Sequence, residues 1–350
     1  MLITKTPFRM SFLGGGTDYR PFFEKYGGSV ISSTFDKYCY VTIRHQPPFF
    51  DCKNHIVYTR MERTNTVDEI EHPLVRNAMK FLDMHDLRVV YDADLPARSG
   101  LGSSSSFAVG LLNGFYALKG KYIDKNRLAA EAIYLERVLC AESGGWQDQI
   151  AVAYGGFNRI DFHENSFSVK PLIISKEKKQ LLNDHLMLFF TGFSRVSAEI
   201  AESQMKTTQD KAVELREMLD LVDEGEKVLT NKIDICEFGR LLDHTWKLKR
   251  GLTNKITTDS IDDIYNKAMK AGALGGKLMG AGGGGFMMIF AEPERQAAIK
   301  KQLNNLLYVP FSLENEGAQI LYYMPETYEV PENGNKKNRH KTSLVRMDKY

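Results

Sequence analysis

Residues 95–110 read LPARSGLGSSSSFAVG, with three glycines and five serines between a proline and an apolar run. Glycine lets a backbone approach a ligand closely and adopt positive φ. A helix that begins directly after such a bend presents unpaired N–H groups and the positive end of its dipole. Together these make an anion site, and phosphate suits it. Serine hydroxyls there can cap the helix, donate to phosphate oxygens or ligate a hard cation. Four in succession exceed what one cap needs. Pro96, Arg98, Ser99, Gly100, Leu101, Gly102, Ser103, Ser104, Ser105 and Ser106 are therefore the candidate phosphate cradle. It is neither G-x-x-x-x-G-K-[ST] nor G-x-G-x-x-G, since Ser105 stands where the third glycine would be. The protein-kinase H-R-D and D-F-G signatures and the G-x-S-x-G elbow are absent as well.

Other residues could do chemistry beside such an anion site. Glu136 and Asp148, in ERVLCAESGGWQDQIA, are candidate carboxylates; Glu136 could equally sit on a solvated helix face. Arg9 lies in a strand-like run beside Phe8, Met10 and Phe12, where a charge needs a partner. Asp18, in GGGTDY, is either a turn former or an acceptor for a sugar hydroxyl. Gly282, Gly283 and Gly284 precede a strand and read either as a tight turn or as backbone approaching a ligand. Lys277 is either an anchor for an anionic substrate or a helix-end lysine.

These residues must be positioned by elements legible in the pattern. Val30–His45 reads as a strand pair, His72–His85 as a helix and Leu87–Pro96 as a strand. Ala108, Leu111, Leu112, Phe115 and Leu118 recur at helical spacing after the serines, and Asn126–Cys140 follows as a second helix. Phe157–Ile174 reads as a hairpin and His185–Phe193 as a buried strand. Long helices follow over about Ser197–Glu226 and Cys236–Gly251, with a shorter one at Ile261–Ala271. A glycine turn, a strand and a helix come next. The expected organisation is two α+β domains, residues 1–174 and 175–330, with a basic tail at 331–350 and the glycine-rich loops of both halves at one cleft.

Composition sets bounds on function. The 350 residues suffice for about two domains. With 46 basic and 44 acidic residues the net charge is +2, which argues against a dedicated nucleic-acid binder. Cys39, Cys52, Cys140 and Cys236 form no C-x-x-C pair and read as reduced thiols. The start is charged too soon for a signal peptide, and no apolar run reaches about 20 residues. The expectation is a cytoplasmic protein with neither a nucleic-acid nor a membrane partner; nothing in the pattern sets an oligomeric state.

Three stretches, in order, resemble the motifs of the GHMP kinases: TPFRMSFLGGGTDY (Thr6–Tyr19), LPARSGLGSSSSFAVG (Leu95–Gly110) and KLMGAGGGGFMM (Lys277–Met288). The resemblance implies a two-domain α+β fold, with an N-terminal domain like ribosomal protein S5 and a ferredoxin-like C-terminal domain. It implies ATP on the serine-rich bend, Mg²⁺ on Ser104 and Glu136, Asp148 as base, and Arg9 beside it facing the moving phosphoryl group. Gly15, Gly16, Thr17, Asp18, Trp146 and Gly282–Gly284 would then meet a small sugar or sugar phosphate. Gly15 and Gly16 replace the glutamate and histidine of galactokinases. FLGGGTDY, GLGSSSSF and WKLKRGLTNKIT look most like the members that phosphorylate D-glycero-D-manno-heptose 7-phosphate at O1. Trp146 stands where that group often has lysine and resembles the kinase half of L-fucose kinase/guanylyltransferases, as a ring able to stack on a sugar. A relative that only sensed ATP and sugar could dispense with Asp148, Glu136 or Arg9, and all three are present.

Overall fold

The computed structural model describes residues 1–97, 99–192 and 197–325. Its N-terminal half is organised by two long strands, β1 (Leu2–Leu13) and β2 (Gly28–His45). β2 occupies the segment expected to be a strand pair. No turn residue interrupts it, and it runs on as one strand with Asp36 and Lys37 looped out between the pairs Phe8–Phe35 and Pro7–Tyr38. Such a bulge bends a strand without ending it. Beyond the bend β2 changes partner: its second half pairs with β5 (Leu87–Ala93), its first half with β6 (Phe157–His163). β3 (Asn54–Val57), β4 (Met61–Thr64) and β7 (Ser166–Pro171) extend the sheet.

α1 (Arg20–Tyr26) and α2 (Pro73–Phe81) carry a proline in the first turn, Pro21 and Pro73, where no N–H partner is needed. α3 (Ser103–Leu118) is buried on nearly every side. It lies close on β1 and β2 because Gly110 and Gly114 face them: a Cβ on Gly114 would fall 2.4 Å from Ile43 Cδ1, and one on Gly110 2.8 Å from Thr6 Oγ1. The expected helix 126–140 is α4 (Lys125–Tyr134), capped by Asp124, followed by a π-helical turn at Leu135–Leu139. α5 (Gln147–Tyr154) completes the cover.

After α6 (Lys176–His185), four antiparallel strands form a second sheet: β8 (Leu186–Gly192), β9 (Gly275–Leu278), β10 (Gly285–Phe290) and β11 (Leu307–Tyr308). Their order, β11-β8-β10-β9, is that of a ferredoxin-like sheet. α7 (Ser197–Thr207) and α8 (Ala212–Thr230) replace the single long helix expected between them. α9 (Cys236–Arg250), α10 (Asp259–Lys270) and α11 (Pro293–Gln302) follow, and Trp246, Ile261, Tyr265, Met287 and Ile289 share a core. The chain then returns: β12 (Leu313–Glu314) pairs with β2 and β13 (Gln319–Tyr323) with β1. The expected C-terminal unit 175–330 is thus not one body, since its last strands complete the N-terminal sheet. The basic tail 331–350 lies outside the described residues. No described helix is long and apolar enough to cross a membrane.

Candidate active site

β1 carries Arg9 into the space between the two halves, 4% exposed. Each nitrogen of its guanidinium makes a hydrogen bond. Nε donates to Asp148 Oδ1 at 2.8 Å and Nη2 to Oδ2 at 2.7 Å, a bidentate pair, while Nη1 donates to the Gly100 carbonyl at 2.8 Å. Its backbone N–H reaches Leu101 O at 3.1 Å. One residue therefore ties the glycine bend to the carboxylate. Gly102 closes the bend with φ +78°, a left-handed conformation, and a Cβ there would touch the Arg9 stem at 3.1 Å.

α3 starts on this bend. Ser103, Ser104 and Ser105 at its N-terminus line a cavity of about 730 Å³, together with Gly100, Gly102, Glu136 and Asp148. Ser105, not Ser104, is the hydroxyl joined to Glu136: its Oγ donates to Oε2 at 2.7 Å, and Gln149 Nε2 donates to the same oxygen. Ser104 is exposed on the same wall. The other Glu136 oxygen, Oε1, is buried and has no hydrogen-bond partner among the described residues. The π-helical turn explains how Glu136 and its neighbour Arg137 both reach the wall, since an inserted residue widens the helix there. Such turns occur often at functional sites.

The turn at Gly14–Tyr19 interlocks with the one at Gly144–Gln147. Asp18 Oδ1 accepts from Gly16 N at 2.9 Å, Oδ2 from Gln147 N at 3.4 Å, and Asp18 O from Trp146 N at 3.1 Å. A Cβ on Gly145 would lie 1.8 Å from Asp18 Oδ2. Burial lifts the Asp18 carboxyl above its usual range, against the pull of the Gly16 N–H. From the C-terminal half come Lys249 on α9, Lys277 on β9, Gly280 and Ala281 after β9, and Glu199, Glu202 and Gln204 on α7. Lys249 Nζ donates to Leu278 O at 3.3 Å and to Gly280 O; Lys277 Nζ donates to Phe12 O at 2.9 Å. The glycine loops meet backbone to backbone, with the Cβ direction of Gly280 pointing at Gly100 Cα, 2.4 Å away.

The cavity thus gathers Arg9, Gly15, Gly16, Asp18, Gly100, Gly102, Ser103, Ser104, Ser105, Glu136 and Asp148 from the sequence reading. Others it leaves out. Trp146 is 3% exposed, its ring 4.7 Å from that of Phe23 in the N-terminal core, so it cannot stack on a sugar. Thr17 is buried and spends its hydroxyl on Gly14 O and Ser29 O. Ser106 donates to Pro7 O and Gly102 O, fixing the start of α3. Leu101 is core, Pro96 stands outside the wall, and Ser99 is covered by Gly285, whose Cβ would lie 2.4 Å from Ser99 O. Gly282–Gly284 turn away, with Gly283 N bonded to Ile256 O at 2.9 Å; the glycine that approaches is Gly280. Arg98 lies outside the described residues. Sequence reasoning missed Lys249, although it sits on the buried stripe Leu242–Thr245–Trp246 of α9, where a lysine is out of pattern. Arg137 was hidden because no local signal announces a π-turn.

Two family models match the chain: the GHMP kinases N terminal domain over residues 72–156 and GHMP kinases C terminal over 227–309. A D-glycero-alpha-D-manno-heptose 7-phosphate kinase of Campylobacter jejuni is 29% identical over 90% of this chain and 97% of its own. An L-fucokinase/L-fucose-1-P guanylyltransferase of Bacteroides fragilis is 27% identical over 90% of this chain, which corresponds to 38% of that longer protein. A crystal structure of a D-glycero-D-manno-heptose 1-phosphate kinase from Bacteriodes thetaiotaomicron superimposes with a TM-score of 0.75 at 25% identity, covering 93% of this chain and all of the other.

Proposed function

The chain belongs to the GHMP kinases and is an ATP-dependent phosphotransferase acting on an alcohol group, and we propose that its acceptor is the anomeric O1 of D-glycero-D-manno-heptose 7-phosphate, giving the 1,7-bisphosphate. The observation that carries the kinase part of this reading is the bridge of Arg9 between the Gly100 carbonyl and Asp148, and the acceptor is inferred from the similarity to the heptose 7-phosphate kinase. It sets the nucleotide bend and a carboxylate on either side of one cation, which brings together a phosphate cradle, a proton acceptor and a positive charge, three recurring parts of phosphoryl-transfer sites.

In this reading the triphosphate lies along the N-terminus of α3, where the N–H groups of Ser103–Ser105 and the helix dipole offset its charge. The acceptor hydroxyl lies at Asp148. As the bond from O1 to the γ-phosphorus forms and the bond to the β,γ-bridging oxygen breaks, Asp148 takes the hydroxyl proton, and ADP leaves with the bridging oxygen. Arg9 orients Asp148 and faces the charge on the transferred group. Asp18, held by two backbone N–H groups, would accept from a sugar hydroxyl.

Mg²⁺ fits the same wall. Among the described residues there is no cluster of three or more His, Cys, Asp or Glu. One carboxylate oxygen, Glu136 Oε1, is buried beside the serine hydroxyls without a partner among the described residues. Mg²⁺ commonly takes one or two carboxylates and completes its shell with phosphate oxygens and water. Glu136 with Ser104 or Ser105 would hold it, and the ion when bound neutralises phosphate charge.

The test is ADP release from Mg-ATP over heptose 7-phosphate, D-glycero-D-manno-heptose, L-fucose, galactose, mannose and mevalonate, with ³¹P NMR of the product. The expected result is the highest kcat/KM on heptose 7-phosphate and a new anomeric phosphate resonance. The similarity to the L-fucokinase domain supports a second reading, and preference for L-fucose would establish it in place of the first. No turnover on any sugar would leave a protein that only binds ATP and sugar.

A further inference from the structure

Two lysines in the cavity wall have no directly paired carboxylate among the described residues; Asp18 acts on both, and Asp148 on Lys249, only through space. Lys277 is 1% exposed and Lys249 6% exposed, and among the described residues neither forms an ion pair; their ammonium groups meet only carbonyls. The carboxylates nearby are engaged elsewhere: Asp148 by Arg9, Asp18 by the N–H groups of Gly16 and Gln147. Burying an ammonium group without a carboxylate is costly. Two buried ammonium groups that face a cavity and are bonded only to carbonyls point to an anion that arrives with a ligand.

Geometry says which ligand. The nucleotide's phosphates have their own place at the start of α3. Lys277 stands by the other turn: a Cβ on Gly15 would lie 4.0 Å from its Nζ and 3.4 Å from Ser11 Oγ. A side chain at Gly15 would stand directly before the Lys277 ammonium group, and Gly15, Lys277 and Lys249 all line the cavity. We propose that Lys277 and Lys249 form an anion subsite that holds a phosphate already carried by the acceptor, so that the protein selects a sugar phosphate over the free sugar. This rests on the kinase reading of the cavity for its kinetic part only. Burial lowers both ammonium pKa values, Lys249 to about 8, and an incoming dianion reverses that trend by supplying a directly paired negative charge.

The decisive experiment uses inorganic phosphate as probe, on protein saturated with Mg²⁺ and a non-hydrolysable ATP analogue so that the α3 site is filled. Phosphate should raise the thermal midpoint of the wild type further. Lys277→Met and Lys249→Met should abolish that rise and Lys277→Arg should keep it, with analogue binding reporting that each variant is folded. In parallel, the ratio of kcat/KM for heptose 7-phosphate to that for the dephosphorylated heptose should fall about 10–100-fold in Lys277→Met, as expected for a lost charge-assisted hydrogen bond. No shift in the wild type, an equal shift in both methionine variants, or an unchanged ratio would overturn the subsite. A wild type that binds phosphate through both lysines but does not turn over heptose 7-phosphate would instead remove the heptose reading and leave the subsite standing.

Discussion

Asp148 and Lys249 show how differently a half-buried carboxylate and a buried ammonium group can be held. Asp148 has both oxygens on one guanidinium, so replacing it removes the proton acceptor but leaves the nucleotide bend in place. Asp148→Asn should lower kcat by about 10²–10⁴-fold, the usual contribution of a positioned acid or base, with the KM for ATP within about twofold. Steady-state kinetics on the best acceptor checks this; a rate near wild type would remove Asp148 from the chemistry. Lys249 has only carbonyl partners, and burial, then Arg9, lowers its pKa from 10.5 to about 8. The folded protein therefore releases this proton at lower pH than the unfolded chain does. Between about pH 8 and 10.5 the unfolded state binds more protons, so stability rises with pH across that window. The wild type should gain stability relative to Lys249→Met between pH 7 and 10 in urea titrations. A gap that stayed constant or moved the other way would show that the ammonium group is not strained by burial. Asp18 and Asp148 face the same ammonium and temper the effect without reversing its sign.

At the scale of elements, α3 has two jobs that its sequence splits between its ends. Its first turn supplies the serines; its middle must lie low on β1 and β2 so that this turn meets Arg9. Gly110 and Gly114 allow the close approach. Gly114→Val would drive a branched side chain against Ile43 and Leu2, and overpacking of this kind costs about 1–3 kcal/mol. The expected drop is in the unfolding midpoint, and an unchanged midpoint would mean that α3 does not sit close to the sheet. The π-helical turn after α4 is the other positioning device, since Glu136 and Arg137 reach one wall only because the helix widens at Leu135–Leu139.

For the molecule as a whole, the site exists at a seam. Gly100 and Gly280 are in backbone contact across the two halves, and each has a left-handed φ, +78° and +76°. A methyl group on Gly280 would meet Gly100 Cα at 2.4 Å, with no flexible side chain to give way. Gly280→Ala should therefore part the loops and lower kcat/KM for ATP by about 10²-fold, the scale expected from a misplacement of about 1 Å at a reacting centre. A variant with unaltered kcat/KM would show that the seam tolerates separation. Away from the site, Arg159 on β6 pairs with Asp223 and Glu226 on α8, and β12 and β13 return to the N-terminal sheet, so the halves are joined at several points.

By itself the sequence determined the α+β class and brought out the glycine–serine bend, Arg9, Glu136 and Asp148 as candidates, through local signals and through the motifs that resemble the family's; the structure places them on one cavity. Glycines before a helix, a charge inside an apolar strand and an aspartate after a glycine pair each state a need within a few residues. What only the tertiary structure decided was which side chains face one another. Trp146 looks available in the sequence, yet it is drawn into the core beside Phe23 because burying its large apolar ring is favoured. Gly280 rather than Gly282–Gly284 approaches the bend, and Ser105 rather than Ser104 meets Glu136, because helix phase and loop path are set by packing. Lys249 and Lys277 acquire a shared meaning only when α9 and β9 bring them beside Arg9, some 240 or more positions earlier in the chain. Charges so far apart along the chain interact through space, and their distances are decided by the hydrophobic cores that close around them.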